Sequence, residues 1–146
     1  MKKLSRIVLG LASVTMLASC AKSVTPEEAV KIASENWSVD KAKAAGFTKA
    51  HVANKYSDSS QDEEHDASGV ALNVLIDTLV PLNLIAVTGA AALEGAAFKA
   101  DGSAIEFTYK DKDGSYEYKI NGYGLTTYMK TTTADGWSSS TYTWSK

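Results

Sequence analysis

Few residues in this chain are of types that could do chemistry. There is one cysteine, Cys20, and there are two histidines, His51 and His65. A lone thiol can serve as a nucleophile, a metal ligand, half of an intermolecular disulfide or an attachment point. Neither histidine stands in a zinc-like spacing. The stretch Asp58 to Asp66, DSSQDEEHD, holds five acids. Asp62, Glu63, Glu64, His65 and Asp66 could face a divalent cation, but a calcium loop needs spaced ligands and a glycine turn. The run has neither and is expected to be a solvated loop. Asp111 and Asp113 are explained by a turn. Serine is plentiful, yet no Gly-x-Ser-x-Gly stretch exists, and two isolated histidines offer little general base. No catalytic residue and no metal ligand is therefore assigned, and the chain is not expected to be an enzyme.

The neighbours of Cys20 narrow its role. Lys2, Lys3 and Arg6 precede an apolar run from Ile7 to Ala18. That order is a charged region followed by an apolar core of signal-peptide length, too short for a bilayer-spanning helix. The residues Leu17-Ala18-Ser19-Cys20 resemble the lipobox of bacterial lipoproteins. The resemblance implies a diacylglycerol on the sulfur, cleavage before Cys20 and an N-acyl group on the new amine. It also implies a lipid anchor in the bacterial cell membrane or outer membrane, outside the cytoplasm. The expected organisation is a signal peptide over residues 1–19, a lipidated tether over 20–24 and one domain over 25–146. An acylated sulfur has no thiolate to offer. No other cofactor is expected.

The cleaved chain would keep twelve lysines against all 17 acids, a formal charge of −5, and would lose the sole arginine, Arg6. Such a chain is a poor nucleic-acid binder. No nucleic-acid partner is expected. The expected partners are the membrane, through the anchor, and a hydrophobic ligand or an envelope protein.

Some elements must position what remains. In TPEEAVKIASENW, Thr25 can cap a helix, Pro26 suits its first turn and Glu28 completes a capping box. A helix is predicted from Pro26 to about Trp37. SVDKAKAAG predicts a short second helix from a Ser38 cap to a Gly46 stop. Phe47, Val52 and Tyr56 suggest a strand. Ser68 to Phe98 is largely apolar but holds Asn73, Asp77, Pro81 and Asn83. Asp77 at mid-span would cost about 2.5–3.5 kcal/mol, which disfavours a membrane span. A helix from Ser68 to Val80, broken at Pro81, and a second piece towards Leu93 are expected. Asn73 and Asp77, four apart, share a polar stripe.

The C-terminal third alternates. Ile105, Phe107 and Tyr109 share one face, as do Tyr116, Tyr118 and Ile120, and Tyr142 and Trp144. Glu106, Thr108, Lys110, Glu117 and Lys119 fall on the other. Asp101-Gly102, Asp113-Gly114, Asn121-Gly122 and Asp135-Gly136 are turn signals between strands. Five antiparallel strands are predicted, beginning near Ala96 to Lys99.

The fold class is thus α+β: an N-terminal helix and an apolar helical segment packed on an antiparallel β-meander, curved like a half-barrel. With the lipobox, this layout resembles half-barrel envelope lipoproteins that bind lipids or lipoproteins. TPEEAVKIA is similar to the helix of PepSY-type envelope domains, and NGYGLTTYMKT to strand–turn–strand segments of small bacterial lipoproteins. The first resemblance implies a non-catalytic binding module for a lipid or other hydrophobic ligand. Its expected lining is Leu72, Leu75, Leu79 and Leu84 from the helical segment with Tyr116 and Tyr118 from the sheet. Two alternatives remain open. Exposed rings among Tyr116, Tyr123, Tyr128, Trp137, Tyr142 and Trp144 could bind cell-wall glycan or a protein, or the chain could be purely structural.

Overall fold

A computed structural model describes residues 21–146. Cys20 and the expected signal peptide, residues 1–19, lie outside the described residues. Among the described residues, three helices lie against one face of an eight-stranded antiparallel sheet, an α+β arrangement whose sheet is open.

The first helix, α1 (Pro26–Asn36), starts as its sequence dictates. The Glu28 backbone N–H donates to Thr25 Oγ1 at 3.1 Å, and the Thr25 N–H donates to Glu28 Oε2 at 2.9 Å. Two otherwise orphaned donors are satisfied together. Its buried side is Ala29 and Ala33. Helix α2 (Val39–Ala44) is capped by Ser38, and Gly46 ends the turn at φ +83°.

Helix α3 (Gly69–Ala91) runs unbroken through Pro81, where a break was expected. Pro81 lies on the exposed side of the helix. The carbonyl it leaves without a partner therefore faces water, and the packed side stays intact. The helix is long and apolar enough to cross a bilayer by length and composition. Here it lies on the sheet instead, burying Leu72, Ile76, Val80, Asn83, Val87 and Ala90. Those positions follow the 3.6-residue period of one helical face.

The strands are β1 (Lys22–Val24), β2 (Lys49–Tyr56), β3 (Glu63–Ser68), β4 (Ala97–Asp101), β5 (Ala104–Lys110), β6 (Gly114–Ile120), β7 (Thr126–Thr133) and β8 (Gly136–Ser145). Their order across the sheet is β1-β4-β5-β6-β7-β8-β2-β3. The five-strand meander of β4 to β8 is as predicted. Two segments are more ordered than expected. Lys22–Val24, expected within a tether, pairs with Phe98 to Ala100 as an edge strand. Glu63–Ser68, expected within a loop, pairs with β2 as the other edge. Charged residues belong on a strand with one neighbour and water beyond it.

The register defines two ends of the molecule. Near one end lie the first residues of β1, the β4–β5 turn, the β6–β7 turn, the start of β2 and the end of β8. At the other lie the β5–β6 and β7–β8 turns and the β2–β3 connection. Helix α1 leads from β1 towards the first end, where Trp37 Nε1 donates to the Ser103 carbonyl at 2.8 Å. Gly124, at φ +90°, lets the β6–β7 turn press on Trp37 and Val80; an added Cβ would lie 2.8 Å from the Trp37 Cβ. The core holds Phe98, Ile105, Phe107, Ile120 and Leu125 from the sheet side, with Ile76, Val80 and Val87 from α3.

Candidate functional site

The alternation expected in β5 and β6 brings aromatic rings together on the helix-facing side. Phe98 stacks on Phe107 at 5.5 Å, Phe107 on Tyr118 at 4.8 Å and Tyr109 on Tyr116 at 4.6 Å, all within 19° of parallel. The register explains this, because Phe98 opposes Phe107, Phe107 opposes Tyr118 and Tyr109 opposes Tyr116. Cross-strand neighbours on one face are close enough for ring-on-ring contact.

The helix layer covers only part of this ladder. Phe98 and Phe107 are buried, whereas Tyr109, Tyr116 and Tyr118 are half-buried. The uncovered rings lie towards the end of the β5–β6 turn. Met129 of β7 opposes Tyr118 and is also half-buried.

Helix α3 supplies a second apolar surface. Its Asp77 pairs with Lys43 of α2 at 2.6 Å, and Ser34 of α1 lies by Leu84 and Thr88. Those contacts fix the side of α3 that faces the other helices. At 100° per residue, Leu75, Leu79, Leu82 and Ala86 fall on the opposite flank. Leu75, Leu79 and Ala86 are half-buried and Leu82 is 53% exposed. Helix α3 thus presents an apolar flank, and the sheet presents a shelf of half-covered tyrosines on the same helix-facing side.

The shelf is chemically mild. Burial and the neighbouring Tyr118 push the Tyr109 phenol up to about 12. Burial, then Asp111 and Asp113, push Tyr116 up as well. Both stay protonated at neutral pH and present hydroxyls, not charge. No group of three or more His, Cys, Asp or Glu suited to a metal occurs among the described residues.

The six expected lining residues are not all brought together. Leu72 is buried in the core. Leu84 is on the α1 side, where it borders a shallow apolar hollow of about 720 Å³ with Ile85, Gly89 and Ala92. Leu75 and Leu79 remain on the flank beside the sheet, and Tyr116 and Tyr118 are on the shelf. Tyr109, not among the expected lining residues, joins the shelf because it pairs opposite Tyr116; in the sequence only its alternation with Phe107 points there.

The rings considered for glycan are dispersed. Tyr116, Tyr142 and Trp144 face the helices. Tyr128 and Trp137 alternate to the other face, where Lys119 and Lys130 lie over them at 5.6 and 5.1 Å. Tyr123 is in the β6–β7 turn. A mixed-charge hollow of about 430 Å³ is lined by Glu94, Lys110, Glu117 and Lys130 together with Tyr109 and Tyr116 of the shelf. His51 Nδ1 is 2.7 Å from Asp66 Oδ1, and Lys49 is 3.0 Å from Asp66 Oδ2. The hydrogen bond from His51, then Lys49, holds the Asp66 carboxyl below its usual range. These groups are exposed cross-strand partners between β2 and β3.

No protein-family model, curated protein or solved structure matches the chain.

Proposed function

We propose that this chain is a lipid-anchored protein of the bacterial cell envelope, acylated on Cys20. It acts without catalysis, by binding an acyl-bearing lipid between α3 and the tyrosine shelf. The observation that carries the reading is the half-buried tyrosine ladder on the helix-facing side of the sheet, which the helix layer covers only in part.

Two features favour an acyl chain over a sugar. Within the ladder, ring faces are occupied by one another, so a ligand is offered ring edges and hydroxyl rims. Sugars stack on free ring faces; alkyl chains are satisfied by edges and leucine methyls. The charge near the shelf narrows the headgroup. Asp111 and Asp113 lie in the adjoining turn and the cleaved chain has no arginine, so a neutral or zwitterionic headgroup fits better than an anionic one.

The test uses the full-length protein extracted gently from membranes. Native mass spectrometry should show a co-purifying lipid beyond the covalent acyl groups. The neutral probe 1-N-phenylnaphthylamine should brighten on binding and be displaced by that lipid. Leu79→Lys should weaken probe binding about tenfold, as losing one apolar contact and burying a charge would. Absence of both the adduct and the probe signal would sink the binding reading.

A further inference from the structure

Resting on the lipid-anchor part of that reading, we propose that the end of the molecule bearing Phe47, Tyr123 and Lys146 lies on the lipid headgroups. The body then stands on the membrane with its strands upright and the tyrosine shelf turned away from it.

The placement starts from the chain path. Only Ala21 separates Cys20 from β1, and consecutive Cα atoms are about 3.8 Å apart. Lys22 pairs with Ala100, next to the β4–β5 turn. A lipid on Cys20 is therefore attached within two residues of that end of β1, so the tether that holds the body to the bilayer is short. Ser103 of the same turn touches Gly122, where an added Cβ would lie 2.5 Å from the serine hydroxyl. The β6–β7 turn is thus alongside, and it carries Tyr123.

That end has the composition of a membrane–water interface. Tyr123 is 38% exposed and meets Phe47 edge-on at 5.7 Å. Phe47 in turn lies 5.8 Å from Trp144, and the Lys146 ammonium is 6.0 Å from the Phe47 ring. Aromatic rings with one wet edge, flanked by lysines whose stems cover apolar surface, favour the headgroup layer. Lys22 and Lys41 add positive charge there, against Glu35, Asp40 and Asp101, so this end is close to neutral. Lys43 and Lys49 are engaged by Asp77 and Asp66.

The far end is more acidic. Asp58, Asp62, Asp111, Asp113 and Asp135 occupy its turns and connections, with Lys55, Lys110 and Lys112 their nearby cations. An anionic membrane repels that end and tolerates the anchor end. Burial of the uncovered tyrosines against the same membrane is therefore not required.

Because Cys20 is acylated and is the sole cysteine, an introduced cysteine gives a unique label. The acylated full-length protein is placed in vesicles of phosphatidylethanolamine and phosphatidylglycerol. An environment-sensitive nitrobenzoxadiazole is attached in Tyr123→Cys, Asp135→Cys or Val74→Cys, the last on the exposed side of α3. The label at 123 should shift to the blue and be quenched by nitroxide lipids, and the label at 135 should emit as in water. A label at 74 that is shielded while 123 is wet would overturn the proposal in favour of the α3 face. Water-like emission at both 123 and 74 would overturn it as well, leaving a body held off the surface. If mass spectrometry shows no acyl mass on Cys20, the anchor reading itself falls, and the orientation with it.

Discussion

Among the described residues, Asn83 is the one side chain that ties the long helix to the sheet by polar contacts at its buried centre. Its Nδ2 donates to the Gly124 carbonyl at 2.7 Å. The Thr126 hydroxyl lies 3.0 Å from Nδ2 and 3.1 Å from Oδ1. Asn83 is 4% and Thr126 1% exposed, so water cannot replace these bonds. Asn83→Leu should strand the carbonyl and the hydroxyl, at about 1–3 kcal/mol for each. Urea unfolding should show a lower midpoint at unchanged slope. Adding Thr126→Val should recover part of the loss, because one stranded group is removed. Equal stability of wild type and Asn83→Leu would mean that the bonds hold nothing. In the sequence Asn83 reads as an interruption of an apolar run. Its phase with Ile76, Val80 and Val87 marks it as inward, but only the β6–β7 turn shows why an amide is needed there.

The aromatic ladder is a property of paired strands, and its pH response belongs to them. An unfolded tyrosine ionises near pH 10. Tyr109 is pushed up to about 12 in the fold, mainly by burial and then by Tyr118. The folded state therefore holds this proton more tightly than the unfolded chain. Stability from this group is fully present below pH 10 and is lost as pH rises from 10 to 12. Burial pushes up Tyr116, Tyr128 and Tyr142 as well, so a phenolate absorbance titration should show several late phenols, one fewer in Tyr109→Phe. The same variant should lose less stability across that window than wild type. A Tyr109→Phe titration identical to wild type would contradict the assignment. Strand faces and the α1 capping box were legible because periodicity and local hydrogen bonding set them. Pro81 was not. Whether a proline breaks a helix depends on which side its missing bond faces, and packing alone decides that. Ser68 to Val80 read as helix correctly; its continuation required the sheet beneath it.

At the scale of the molecule, an open sheet has two edges, and each must resist pairing with another chain. Edge β1 is only three residues long. Edge β3 is longer and carries Glu63, Glu64, His65 and Asp66. Asn54 Nδ2 donates to Glu63 Oε1 at 2.9 Å, and His51 and Lys49 hold Asp66. Composition alone made this run a loop, since five acids in nine residues rarely build a core. An edge strand needs no core on its outer side, and its charges oppose the approach of a second edge. Replacing Glu63, Glu64 and Asp66 together by threonine keeps strand propensity and removes that repulsion. In detergent, light scattering on the triple variant should report a larger mass than wild type, growing with concentration. Far-ultraviolet circular dichroism should remain that of the wild type, which separates edge pairing from unfolding. A variant with the wild-type mass at every concentration would show that the charges do not guard this edge.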